Sequence, residues 1–160
     1  TMDLAQAKKL IKSFEVGETP LISASAFRYA NEVIRCKSLC KRENILSATI
    51  TGPFECTDLG DDPRLKNIFF YGVHLSEILQ EIIGDGLESV KTYESYKNGY
   101  NCIIEHNDGR NFCLNLLKPM KDYYHITMFY EMGVFNKKLD LEGNYYHLTQ
   151  NLENNLCFSN

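Results

Sequence analysis

Tryptophan is absent from this 160-residue chain and proline occurs only four times. With so few prolines, a Pro-rich linker or a polyproline stalk is excluded. No apolar run approaches the length a membrane-crossing helix needs. The opening residues alternate apolar and polar at helical spacing, and lack the charged stretch and apolar core of an export signal. Excess positive charge is also missing: the formal net charge is -4, so no global basic field exists to drive general nucleic-acid binding. The one dense basic run is Arg35, Lys37, Lys41 and Arg42, which suits the C-terminal end of a helix. P-loop, Rossmann glycine, HExxH and GxSxG signatures are all lacking, and nothing in the sequence asks for a cofactor.

What is present is the composition of a folded domain. Hydrophobic residues make up 44% and charged residues 24%, which excludes long disorder. The length fits one domain covering residues 1–160, with a loose Asn-rich tail from about residue 150. Six cysteines without an export signal read as reduced thiols, so a cytoplasmic location is expected. Cys36 and Cys40 stand one helical turn apart, but no second close pair completes a zinc site.

Periodicity predicts an α+β fold: N-terminal helices packed on an antiparallel meander sheet of four to five strands. Leu4, Ala7, Leu10, Ile11 and Phe14 recur at helical spacing behind Asp3, and Gly17 and Pro20 end the run. A second helix should begin near Ser23 or Ser25 and carry Phe27, Ala30, Val33, Ile34 and Cys40 inward. Residues 45–51 read as a strand. Residues 68–73 form a short apolar run that reads as another. Ile78 to Ile83 make a helical stripe closed by Gly84 and Gly86. Two hairpins, at Asn98-Gly99 and Asp108-Gly109, then join segments 89–97, 100–106 and 111–117. Residues 122–132 follow as a fourth strand, expected beside 111–117, and a further hairpin is expected within 139–149.

Chemistry is suggested by three tripeptides, His74-Leu75-Ser76, His125-Ile126-Thr127 and His147-Leu148-Thr149. On a strand, residues two apart share a face, so His125 and Thr127 should point together. Paired histidines transfer protons in metal-independent phosphodiester cleavage, and neighbouring hydroxyls donate to the phosphate oxygens. These tripeptides resemble the His-x-Thr/Ser motifs of the 2H phosphoesterases. The resemblance covers those tripeptides alone, and implies a catalytic role for His125, Thr127, His74 and His147. Helices followed by a four-stranded meander also resemble compact RNase toxins, a likeness that offers Arg110, Lys118, Tyr124 and His125 as equivalents of their working residues. Arg110, Lys118 and Tyr124, with Thr149 of the third tripeptide, are the expected substrate-binding residues, with RNA or a nucleotide as partner.

Structural roles compete at each position. Ser76 is placed to cap a helix starting just after it, and Thr127 and Thr149 suit solvent-facing strand positions. His106 sits beside a turn. A metal-nuclease reading would draw on Asp58, Asp61 and Asp62 with Glu105, against a plain solvated turn. The alternative to an enzyme is a protein-binding module or inhibitor. It would dock through Tyr93, Tyr96, Tyr100, Tyr123, Tyr124, Tyr145 and Tyr146, all in the sheet half.

Overall fold

The computed structural model of the protein describes residues 4–17, 27–54, 68–95, 99–118 and 123–140. Among these residues, three α-helices, α1 (Leu4–Val16), α2 (Asn31–Cys40) and α3 (Ile68–Ile83), accompany a 3₁₀ turn at Phe27–Tyr29. Six strands follow the chain order β1 (Ile45–Pro53), β2 (Leu87–Ser95), β3 (Gly99–His106), β4 (Asn111–Leu117), β5 (His125–Tyr130) and β6 (Gly133–Lys138).

The strands form one sheet in the order β2-β3-β4-β1-β5-β6. The class is α+β as expected, but the sheet has six strands and is not a meander. β1 inserts between β4 and β5, running parallel to the first and antiparallel to the second. Segment 111–117 therefore does not lie beside segment 122–132. The latter is in fact β5, which turns at Glu131-Met132 into β6. Alternation along 111–117 showed a strand but carried no information about which distant strand would flank it.

Local signals held where turns are short. The β3–β4 hairpin turns at Asn107-Asp108-Gly109, with Gly109 at φ 85° and its N–H donating to the His106 carbonyl at 2.9 Å. β2 and β3 pair antiparallel, with Ser95 opposite Gly99, so Gly99 opens the strand and does not sit inside a two-residue loop. The first helix spans Leu4–Val16 and has no buried residue. The second starts at Asn31, behind the 3₁₀ turn, and ends at Cys40.

The largest local correction is at residues 68–73. They open α3 and are not a strand, because a short apolar run is ambiguous and its continuation through Ile78 and Ile82 completes a helix. Ser76 consequently lies inside α3. Its hydroxyl donates back to the Val73 carbonyl at 2.9 Å and caps nothing.

Helices α2 and α3 cover one face of the sheet, α3 over β1 and β4 and α2 reaching β6. That face carries the core: Ala48 and Ile50 of β1, Phe112, Leu114 and Leu116 of β4, and Ile126 and Met128 of β5, closed by Leu75, Ile78 and Leu79 of α3. Cys36 is fully buried there, and burial, with Cys40 and Glu32 nearby, pushes its thiol up to about 12. It is a packing residue. No described helix is long and apolar enough to cross a membrane.

Candidate functional site

Register assigns each polar strand residue to a face. Directly opposed residues share a side, so one row crosses the sheet as Tyr93, Asn101, Asn115, Thr51, His125 and Lys138. The next row holds Lys91, Ile103, Cys113, Thr49, Thr127 and Asn136. Both rows lie on the face away from α3. Thr49, Thr51, Cys113, Asn115, His125 and Thr127 are all half-buried there.

His125 and Thr127 do share a side, with Oγ1 of Thr127 3.5 Å from Nδ1 of His125. The His125 ring stacks on Tyr123 at a centroid distance of 5.8 Å, and Lys138 Nζ lies 5.6 Å from the other ring's centroid. Further along, Asn115 Nδ2 donates to Thr51 Oγ1 at 3.2 Å, and the Cys113 thiol to Asn115 Oδ1 at 3.3 Å. These groups bond laterally along a flat surface.

His74 is elsewhere. It lies in α3, on the covered face, and its ring meets Phe27 edge-on at 4.6 Å and Tyr124 at 6.4 Å. Phe27 and Tyr124 stack at 4.5 Å, tilted by 36°. Tyr124 is buried and alternates with His125, so the two neighbours point to opposite sides of the sheet. Gly52 near the end of β1 permits this assembly. A Cβ there would stand 3.0 Å from Tyr124 Cδ1 and 3.2 Å from both Leu75 Cδ1 and the Tyr123 carbonyl oxygen.

The electrostatics of His74 are opposed. Burial lowers its pKa below the ordinary 6.5, while the Glu77 carboxylate, with Oε2 3.7 Å from Nδ1, pulls it back up. Burial acts most strongly, so the ring is neutral at pH 7. Its side chain remains 29% exposed. A neutral, partly accessible imidazole beside an aromatic wall can accept a proton from a hydroxyl whose apolar flank packs on the rings. Sequence reasoning missed Phe27, Arg28 and Glu77 as members of this site. The spacing of three between His74 and Glu77 was the available signal, and it becomes visible only once 68–73 is read as helix.

Arg110 does not assemble with either histidine. Arg110 is bound to Asp108 through Nε at 2.8 Å and Nη2 at 2.6 Å, and its Nη1 donates to the Ile45 carbonyl. That contact is at the start of β1, roughly 23 Å by strand rise from Gly52. Asp108, held well below the usual carboxylate range mainly by Arg110, also lies 2.9 Å from Nδ1 of His106. This is a turn-locking cluster. Lys118 follows the end of β4. His147, Thr149 and Asp58, Asp61 and Asp62 lie outside the described residues. Glu105 bonds Ser89 and Lys91, and no metal-holding group of His, Cys, Asp or Glu exists among the described residues.

No protein-family model matches the sequence, and no curated protein does. Solved structures do. An oxidoreductase from Agrobacterium radiobacter, in complex with NAD+, L-tartaric acid and magnesium, is similar over 93% of this chain and 57% of its own, at TM-score 0.67 and 12% identity. D-galactose-1-dehydrogenase from Rhizobium etli is similar over 94% and 59%, at 0.67 and 13%. The WlbA dehydrogenase from Bordetella pertussis, in complex with NADH and UDP-GlcNAcA, is similar over 88% and 54%, at 0.64 and 15%. The chain thus spans somewhat more than half the length of these proteins.

These findings correct the functional expectation. The fold is shared with oxidoreductases, and His74 and His125 occupy opposite faces and cannot flank one phosphate. The phosphodiesterase and ribonuclease readings fail, as does RNA as a partner. Of the seven tyrosines of the alternative docking surface, four are described: Tyr93 is exposed, at 54%, Tyr100 and Tyr123 are half-buried, and Tyr124 is core; Tyr96, Tyr145 and Tyr146 lie outside the described residues.

Proposed function

We propose that this fold serves nicotinamide-linked oxidation or reduction of a small hydroxylated compound, with His74 taking or returning the hydroxyl proton. Likeness to three oxidoreductases along most of the chain supports the reaction class. The observation that carries the assignment to His74 is its setting: a half-buried imidazole kept neutral by desolvation, against Phe27 and Tyr124.

A dinucleotide does not fit the described residues. Its pyrophosphate is ordinarily cradled by a glycine-rich turn between the first strand and helix of a parallel sheet. The sequence has no such glycine fingerprint, and the described sheet has one parallel pair. The dinucleotide belongs outside this sheet, and the chain's own contribution is the substrate side: an aromatic wall to seat the carbon skeleton and an imidazole to handle the proton.

Ring NMR of the histidines tests this directly. L-tartrate, D-galactose and related polyols are titrated into the full protein, with NADH added separately and followed by its fluorescence. Hydroxylated compounds are expected to shift His74 saturably and leave His125 in place, while NADH alone shows no binding. A response at His125 without one at His74, or no response to any polyol or sugar acid, overturns the proposal.

A further inference from the structure

We infer that Glu77, held by Arg28, is a positioning carboxylate for His74: it occupies the Nδ1 side of the ring and leaves proton exchange with a ligand to Nε2. The inference rests on the reading of His74 as the proton-handling group. Three residues apart on α3, the two side chains stack on one helix face, with Nδ1 and Oε2 3.7 Å apart. The second carboxylate oxygen, Oε1, lies 3.8 Å from Arg28 Nη2. Arg28 Nε in turn lies 3.8 Å from Glu81 Oε1, and the other Glu81 oxygen pairs with Lys37. Charge alternates along this line from Glu77 to Lys37, beside a cleft of about 360 Å³ between the 3₁₀ turn, α2 and α3.

Ion pairs this accessible contribute little to stability, so folding alone is a weak reason for four groups of alternating sign to line up beside His74. Orientation is a better one. A histidine's working nitrogen is set by what its other nitrogen faces. Glu77 from α3 lies on the Nδ1 side of the ring, the Phe27 and Tyr124 rings pack against it, and Arg28 reaches the far oxygen of the same carboxylate. Glu77 favours the imidazolium, and Arg28, by drawing on the same carboxylate, offsets that pull. The two variants therefore have opposite consequences.

The test is a ¹H–¹⁵N titration of the His74 ring in the full chain, without ligand. The neutral ring is expected as the Nδ1–H tautomer. Its titration midpoint should fall in Glu77→Gln and rise in Arg28→Gln. An Nε2–H tautomer in the unaltered protein, or a Glu77→Gln midpoint equal to the parent's, overturns the inference. If Glu77→Gln does not fold, Arg28→Gln decides: a rise supports the assignment, and no change or a fall overturns it. Because no ligand enters, failure of polyol binding with the titration behaving as expected removes the functional reading alone.

Discussion

The two faces of the sheet are made from alternate residues of the same strands, yet they solve different problems. On the helix side, Ala48, Ile50, Phe112, Leu114, Ile126 and Met128 are each 6% exposed or less. On the other side, their immediate neighbours Thr49, Thr51, Cys113, Asn115, Thr127 and His125 are half-buried, and bonds join Cys113 to Asn115, Asn115 to Thr51 and Thr127 to His125. A polar group that meets water or a lateral partner needs no special environment, so the histidine on the polar face is ordinary. The histidine on the apolar side stands against burial, and that conflict marks it as the candidate. The comparison teaches that a polar strand face is a poor guide to chemistry, and a polar residue on the apolar side a better one.

Breaking the comparison at its strongest point means truncating the core. Ile126→Ala should cost about 2–5 kcal/mol of unfolding free energy, measured by urea denaturation. A loss below about 1 kcal/mol would mean that the covered face is not the core. Gly52→Ala should come next. The added methyl must displace Tyr124 or Leu75, at a cost of about 1–3 kcal/mol, and the His74 ring resonances should move with it. Unmoved His74 resonances would separate Gly52 from the site.

His74→Ala should weaken binding of a responding polyol by about tenfold, the worth of about 1.4 kcal/mol, in calorimetry. His125→Ala should leave that affinity unchanged. Smaller again is the pH effect. The His74 pKa is depressed in the fold, so between that value and 6.5 the unfolded chain binds the proton more readily. Its contribution to stability is therefore complete above 6.5 and is lost as pH falls through the depressed folded value. The urea midpoint should decline over that window, and His74→Asn should flatten the decline. The smallest change is Thr127→Ala, at about 0.5 kcal/mol or less. A large loss there would make the polar face part of the folding core.

Legibility followed distance along the chain. The turn at Asn107-Asp108-Gly109 was readable because three neighbouring residues state their own geometry. β1 was readable as a strand but not as the sheet's centre, since its partners are Asn111–Leu117 and His125–Tyr130 and nothing within residues 45–53 names them. α3 was half read: Ile78 to Ile83 showed helical spacing, but the apolar run before them carried no period of its own. His74 was picked out by a tripeptide that suggested the wrong chemistry. Its surroundings come from Phe27, Glu77 and Tyr124, brought together by packing that no local pattern encodes.

The central position of β1 also orders the folding reaction in time. Hairpins β2–β3 and β3–β4 close between near neighbours, and so does β5–β6. β1 reaches the growing end of a nascent chain before either of its neighbours has been synthesised. It must remain unpaired until β4 and then β5 appear, with Ile45, Ala48 and Ile50 unburied meanwhile. Closing the sheet is consequently a late, long-range event that makes folding slow relative to a true meander of the same length. The interval before β5 arrives is when the chain is most open to pairing with other strands.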